Sequence, residues 1–184
     1  MKKILILSVL LIFNCSKDPV YESLPENETN NNLGLRSYAE AKGKFIGNLM
    51  RDGMFSNEQV NGGFTNIILN SEYNAIVLGN KMKMSNLLPI RPDDPFNITI
   101  SDINTANIDH FVAYANSHRM RKRGHVMIWY KQIPSWLEDE APNWSAQQVY
   151  DFSKSYILAL SSYCNGKIDE WDVINEAIVN NGFR

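Results

Sequence analysis

The chain of 184 residues is 44% hydrophobic and 21% charged, proportions typical of a folded domain and not of a disordered one. Its net charge of −2 and its pI near 5.9 give no electrostatic basis for binding DNA or RNA. We interpret the basic cluster RMRKR, at residues 119–123, as a solvated helix end.

The first fifteen residues have the pattern of a lipoprotein-type signal peptide. Two lysines precede an apolar run at residues 4–13, which is shorter than the roughly 20-residue helix that spans a bilayer. Cys15 follows this run and resembles the lipidated cysteine of bacterial lipoproteins, although an ordinary signal peptide with an incidental cysteine gives the same pattern. We therefore expect a secreted protein at the outer cell surface or in the periplasm, with a lipid on Cys15 as its membrane contact.

A polar linker follows the signal peptide. Residues 16–35 are rich in Asn, Glu, Ser and Pro and lack apolar periodicity, which leaves residues 36–184 for the folded domain. Cys164 is the second cysteine of the sequence, so lipidation of Cys15 excludes an intramolecular disulfide. Neither cysteine has a partner at metal-ligand spacing, and we expect neither a metal site nor a cofactor.

In the domain, apolar strands alternate with amphipathic helices. Strands are predicted at residues 44–50, 74–80, 125–130 and 168–174, and the continuous apolar run at 75–78 is typical of a strand buried on both faces. Helices are predicted within residues 56–71, around Ile108, Phe111, Val112 and Ala115, and from a capping box of Ser145 and Gln148 to Asn165 and Gly166.

This alternation predicts an α/β fold with a parallel sheet, either an open doubly wound sheet or a closed barrel. None of the predicted strands is followed by a glycine-rich phosphate-binding motif, which argues against a nucleotide-binding sheet. Polar residues instead follow the carboxyl ends of the strands, where a (β/α)8 TIM barrel builds its active site. We therefore favour a TIM-barrel fold, of which this chain contains about the first four strands.

The segment WDVINE, at residues 171–176, ends a predicted strand with a carboxylic acid. Burial against apolar surface would keep the Glu176 carboxyl protonated until a leaving oxygen takes the proton, and Asn175 would bond a sugar hydroxyl. A role for Glu176 as the cap of a following helix explains the same residues equally well. Asp172 lies inside the strand and is expected to act mainly through stability.

Three separated segments carry motifs in a fixed order. They are GNKMK at residues 79–83, RGHVMIWYKQIPSW at residues 123–136 and WDVINEA at residues 171–177. They resemble E-N-x-M-K, R-G-H-x-x-x-W-H-x-Q-x-P-x-W and W-D-V-V-N-E-A of glycoside hydrolase family 10, the endo-1,4-β-xylanases. The resemblance covers residues 36–184 and implies part of a TIM-barrel catalytic domain.

The resemblance also implies a role for each of seven residues. The implied activity is endo-acting hydrolysis of β-1,4-xylan with retention, and the implied partner is a polysaccharide, xylan or a related β-glycan. Core packing remains an alternative for Trp129, and also for Trp136. Glu176 would be the acid/base, and Asn175, His125 and Lys83 would contact the sugar at the scissile bond. Asn80 and Gln132 would contact the neighbouring sugar, and Trp129 would form an apolar wall.

Some positions depart from the family pattern and leave the exact glycan open. Gly79 replaces a glutamate, Met84 stands where a tryptophan is usual, and Tyr130 stands where a second histidine is usual.

A retaining glycosidase also needs a second carboxyl about 5 to 5.5 Å from the first. In the family it lies in a T-E-x-D stretch near the seventh strand, and no Asp or Glu follows Glu176 here. We therefore expect the chain to end before the nucleophile and to be inactive alone. A non-catalytic carbohydrate-binding protein derived from the same barrel and an unrelated α/β domain are the alternatives.

Overall fold

The computed structural model of the protein describes residues 34–51, 64–179 and 182–183. The predicted signal peptide, most of the predicted linker and Cys15 lie outside these residues. The helices are α1 (Leu35–Ala41), α2 (Phe64–Glu72), α3 (Met84–Leu87), α4 (Ala106–Ser117), α5 (Ser135–Glu140) and α6 (Ala146–Cys164). The strands are β1 (Gly47–Met50), β2 (Ala75–Leu78), β3 (Arg121–Ile128), β4 (Glu170–Ile174), β5 (Ile178–Val179) and β6 (Gly182–Phe183).

Four strands form one parallel sheet in the order β1-β2-β3-β4. Gly47 pairs with Ala75, and Ala75 pairs in turn with Arg121, so the first three strands begin at one level. Strand order that follows chain order without reversal is the arrangement of a barrel, whereas a doubly wound sheet reverses at a switch point. The predicted parallel α/β sheet is confirmed, and β5 and β6 form a separate antiparallel pair.

The helices cover one face of this sheet. Ile76 and Leu78 of β2 are at most 1% exposed, and they join a single core with residues of α4 and α6. The opposite face is open: Leu49 of β1 is 50% exposed. The buried residues that α4 and α6 contribute are Ile108, Phe111 and Ala115, and Phe152, Tyr156, Leu160 and Cys164.

The local signals in the sequence place α6 correctly. The Ser145 hydroxyl accepts a hydrogen bond from the Gln148 backbone N–H, and the Gln148 side chain accepts one from the Ser145 N–H. The helix ends at Cys164, and Gly166 follows with φ of +73°. The capping box and the glycine stop are both confirmed.

The interpretation of the basic cluster at residues 119–123 is wrong. Helix α4 ends at Ser117, and Arg121 to Arg123 are the first three residues of β3. The strand therefore begins four residues before the predicted bound, because its first residues are charged and carry no apolar signal. Each charge has an acidic partner nearby: Arg121 pairs with Glu170, and Lys122 pairs with Asp169.

The described ranges contain neither a membrane-spanning helix nor a cluster of metal ligands. No helix within them combines the length and the apolar character that crossing a membrane requires. In the same part of the chain, no three His, Cys, Asp or Glu side chains are grouped so that they would hold a metal ion. Cys164 is buried and free, and burial raises the pKa of its thiol to about 11.

Candidate active site

The seven candidate residues lie at or near the carboxyl end of the parallel sheet. Asn80 begins the turn that follows β2, Trp129 directly follows β3, and Asn175 and Glu176 directly follow β4. Since the strands are parallel, these ends share one edge of the sheet. His125 differs from the expectation, since it lies inside β3 and not at the start of a strand.

The loops after β2 and β3 are tied together through Asn80 and Gln132. The Gln132 side-chain amide donates to Oδ1 of Asn80 at 3.1 Å, and the Ser85 backbone N–H donates to the Gln132 carbonyl at 2.8 Å. The Asn86 amide donates to the Asn80 carbonyl at 3.0 Å. Both residues remain exposed, so their remaining amide groups are open to solvent.

Trp129 is the centre of an aromatic and cationic cluster. The Lys83 ammonium lies 4.5 Å from the centroid of the indole, and the His125 ring centroid lies 6.5 Å from it. Lys131 lies over the same ring at 5.8 Å. The indole N–H is buried and has no hydrogen-bond partner among the described residues. Lys83 and His125, two of the three residues expected to contact the sugar at the scissile bond, therefore lie beside Trp129, the expected apolar wall.

Asp172 connects this cluster to β4. Its Oδ2 lies 2.9 Å from Nδ1 of His125, and both of its oxygens accept hydrogen bonds from the Arg123 guanidinium. Partial burial raises the pKa of Asp172, but the hydrogen bonds from Arg123 and His125 and the charge of Arg123 lower it by more, so the net pKa lies below its usual value. Asp172 is thus ionised at neutral pH, where it accepts hydrogen bonds and donates none.

Arg123 and Asp172 were missed as site residues by the sequence reasoning, which gave Asp172 a role in stability. The signal was present in the motif spacing. Arg123 and His125 are two residues apart on one strand and therefore share a face. The parallel register places Asp172 opposite His125.

Glu176 and Asn175 form the end of β4. The Asn175 backbone N–H donates to the Ile128 carbonyl at 2.9 Å, which fixes this turn beside Trp129. Glu176 is exposed, so the expected burial of its carboxyl is wrong for the described residues. It makes no hydrogen bond or ion pair with the other six candidates within those residues. The helix-cap alternative is also wrong, because the two-residue strand β5 follows at Ile178.

Backbone conformation distinguishes two of the candidates. Gln132 and Glu176 both have φ of +52°, in the left-handed region that residues other than glycine rarely adopt. Such a conformation costs on the order of 1–3 kcal/mol and is concentrated at functional sites. Three described residues other than glycine have such a φ, and two of them lie at this edge; the third, Arg119, precedes β3.

The departures from the family pattern occupy different surroundings. Met84 is 4% exposed and belongs to the core, so this position does not line the site. Tyr130 is 42% exposed and meets Trp129 edge to face at 5.9 Å, so it belongs to the rim of the cluster.

Trp136 is a core aromatic: its indole N–H donates to the Leu88 carbonyl, and its ring packs against Phe152.

Comparison with known proteins gives consistent matches. The family model Glycosyl hydrolase family 10 matches residues 34–184. The chain is 29% identical over 119 residues to Endo-1,4-beta-xylanase C of Paenibacillus barcinonensis, a match that covers 62% of this chain and 10% of that protein. It is 30% identical over 151 residues to Endo-1,4-beta-xylanase A of Fusarium oxysporum f. sp. lycopersici, covering 81% of this chain and 41% of that protein. The chain thus spans less than half the length of these relatives.

Solved structures match over a similar part of the chain. Xylanase 10B from Thermotoga petrophila RKU-1, solved in complex with xylobiose, has a TM-score of 0.71 at 24% identity and covers 83% of this chain and 43% of that one. Native xylanase 10B from Thermotoga maritima has a TM-score of 0.68 at the same identity, covering 82% and 43%. At this identity the likeness shows the fold: the four parallel strands are part of a (β/α) barrel, as predicted.

Proposed function

Because the chain belongs to glycosyl hydrolase family 10, we propose that it contributes the acid/base and a set of sugar contacts to an endo-acting glycosidase that cleaves β-1,4-xylan. The observation that carries the proposal is the convergence of the motif residues at one edge of the sheet. Asn80 bonds Gln132, and Lys83 and His125 flank Trp129. The names of the matched relatives, which are endo-1,4-β-xylanases, support xylan as the substrate.

The proposed chemistry assigns the proton transfers to Glu176. In the first step its carboxyl donates a proton to the leaving oxygen, while a second carboxylate, which is not among the seven candidate residues, bonds the sugar carbon that the oxygen leaves. In the second step the Glu176 carboxylate accepts a proton from the water that displaces this second carboxylate from the sugar. Its exposed position at the end of β4 makes it accessible to a polymer lying across the strand ends. The indole of Trp129 would pack against the C–H face of a sugar, and the amides of Asn80, Gln132 and Asn175 would bond hydroxyl groups.

The test is the variant Glu176→Gln, which keeps the shape and removes both proton transfers. It is made in the longest natural polypeptide that contains these residues, called the parent protein below, because this chain spans 43% of the Thermotoga structures it matches. Hydrolysis of xylan should fall by about 10² to 10⁴-fold. The loss should be much smaller for formation of the glycosyl-enzyme from an aryl glycoside whose phenolate leaves without a proton. Azide should partly restore turnover of that substrate, because it attacks without a general base.

The matched control is Glu138→Gln on α5, an exposed carboxylate that is not among the seven candidate residues, and it should leave xylan hydrolysis unchanged. Near wild-type xylan hydrolysis by Glu176→Gln would show that Glu176 is not the acid/base.

A non-catalytic sugar-binding protein is the second candidate function. It is favoured by Gly79, which stands where the family pattern has a hydrogen-bond acceptor beside Asn80. It is also favoured by the hydrogen bond between Asn80 and Gln132, which forms without Glu176. Calorimetry with xylo-oligosaccharides distinguishes the two. Binding by a wild-type parent protein that releases no reducing sugar supports this candidate, whereas binding with hydrolysis supports the enzyme.

We further propose that a lipid on Cys15 attaches the protein to the outer cell surface or to the periplasmic side of a membrane. The supports are the apolar run at residues 4–13 that precedes Cys15 and the polar segment that follows it. Mass spectrometry of the mature protein from a bacterial host should show acylated Cys15 as its first residue. A mature protein that begins at any other residue would contradict the anchor, and Cys15→Ser is the control that should remain unacylated.

A further inference from the structure

A row of charged residues lies on the open face of the sheet, next to the sugar-contacting residues. Arg121, Arg123 and His125 alternate along β3 and share this face. In the parallel register Arg123 is opposite Glu170, and His125 is opposite Asp172. The face therefore carries two arginine–carboxylate pairs in succession, and the second of them ends at a candidate sugar ligand.

The two pairs differ in geometry. Arg121 approaches Glu170 at 3.5 Å through Nε, and within the described residues it makes no hydrogen bond or ion pair with any of the seven candidates. Arg123 instead forms a fork on Asp172, with Nε 3.1 Å from Oδ2 and Nη2 2.5 Å from Oδ1. A planar guanidinium that bonds both oxygens fixes the plane of the carboxylate, which a single contact does not.

The fixed carboxylate determines which nitrogen of His125 carries the proton. Ionised Asp172 has no hydrogen to donate, so the 2.9 Å contact requires a proton on Nδ1 of His125. In the neutral ring Nε2 is then an acceptor. Nε2 makes no hydrogen bond within the described residues, and the His125 ring lies beside Trp129 in the cluster that would receive the sugar.

We propose that Arg123 and Asp172 are positioning residues, which hold the His125 ring with its proton on Nδ1 and present Nε2 as an acceptor to a sugar hydroxyl. The proposal rests on the proposed function for the contact between His125 and the sugar. Asp172 requires the arginine because its side chain is 23% exposed, so that solvent would otherwise compete for both oxygens.

The direct test measures the His125 tautomer in the parent protein by two-bond ¹H–¹⁵N correlation spectra of ¹⁵N-histidine-labelled material. The wild-type protein should show one tautomer, protonated on Nδ1. Arg123→Gln should give a mixture of tautomers, and Arg123→Lys, which keeps the charge but not the fork, should lie between them. The matched control Arg121→Gln removes the neighbouring pair and should leave the tautomer unchanged.

The kinetic test uses the same variants with xylo-oligosaccharides. Arg123→Gln should lower kcat/KM by about 10 to 10²-fold, the order of loss expected when a contact is displaced without being removed. The double variant Arg123→Gln with Asp172→Asn should be no slower than the slower single variant, because Arg123 acts through Asp172.

An unchanged tautomer in Arg123→Gln, or an equal loss of kcat/KM in Arg121→Gln, would overturn the proposal. If Arg123→Gln does not fold, a wild-type tautomer and wild-type kcat/KM in Arg123→Lys would overturn it as well. Failure of the proposed function is a separate outcome. It is detected with Glu176→Gln, while the tautomer measurement still tests the positioning role.

Discussion

At the scale of single residues, the sequence predicted which residues form the candidate site, but it did not predict the burial and hydrogen bonds of their side chains. The motifs identify Asn80, Gln132, Lys83 and Trp129, and the structure places them in contact in two pairs. Neither the exposure of Glu176 nor its φ of +52° is visible in the sequence, because glutamate carries no signal for a left-handed backbone. Sequence pattern identifies which residues are candidates, whereas burial and hydrogen bonding depend on chain segments far apart in sequence.

Gly124 is a position of β3 at which the neighbouring strand leaves no room for a side chain. It lies between Arg123 and His125 on β3, and a Cβ built on it would lie 2.3 Å from the Trp171 ring on β4. Gly124→Ala should therefore destabilise the parent protein by about 1–3 kcal/mol through overpacking, and urea unfolding measures the loss.

Gly47→Ala on β1 is the comparison for this prediction. A Cβ at Gly47 would lie 3.3 Å from the Ala75 carbonyl oxygen, so its cost should be the smaller of the two. Equal stability of Gly124→Ala and the wild-type protein would show that Trp171 moves aside at no cost.

At the scale of helices and strands, the sequence predicted those helices that carry apolar residues at helical spacing. Helices α4 and α6 were predicted because each buries three or more residues at helical spacing. Helix α1 buries none, and no sequence pattern indicated it. It is held instead through Arg36, whose guanidinium donates to carbonyls that follow α2 and α4, at Tyr73 and His118. Such contacts join segments distant in sequence and leave no local periodicity.

The capping box of α6 allows a prediction at this scale. Ser145→Ala removes the hydroxyl that accepts from the Gln148 N–H, and should destabilise the parent protein by about 1 kcal/mol. Ser161→Ala, at a half-buried serine inside the same helix, should be neutral or slightly stabilising, because alanine favours helix interiors. Urea unfolding of both variants checks the difference. A loss for Ser161→Ala as large as that for Ser145→Ala would mean that the cap contributes nothing specific.

At the scale of the whole molecule, the two faces of the sheet are unequal. The helices bury one face, while the open face carries a groove bounded by Phe45, Leu49, Val77, Arg123 and Glu170. Within the described residues β1 and β4 are each paired along one side only. The alternation of strands and helices predicted the parallel sheet correctly but did not distinguish an open sheet from a barrel. Polar residues after the carboxyl ends of the strands favoured the barrel, and the same residues indicated which end of the sheet holds the candidate site.

The open face leads to a prediction for the isolated 184-residue polypeptide. Exposed apolar side chains beside unpaired strand edges favour aggregation, so the purified polypeptide should be insoluble or molten, with strong binding of an apolar dye and no cooperative melt. Leu49→Gln should reduce dye binding more than Val149→Gln does. The two side chains are similarly exposed, at 50% and 45%, but Leu49 lies in the groove and Val149 on α6. Sharp amide dispersion with a cooperative melt would contradict the prediction, since it would require the four strands to be stable with this face uncovered or covered by a second copy.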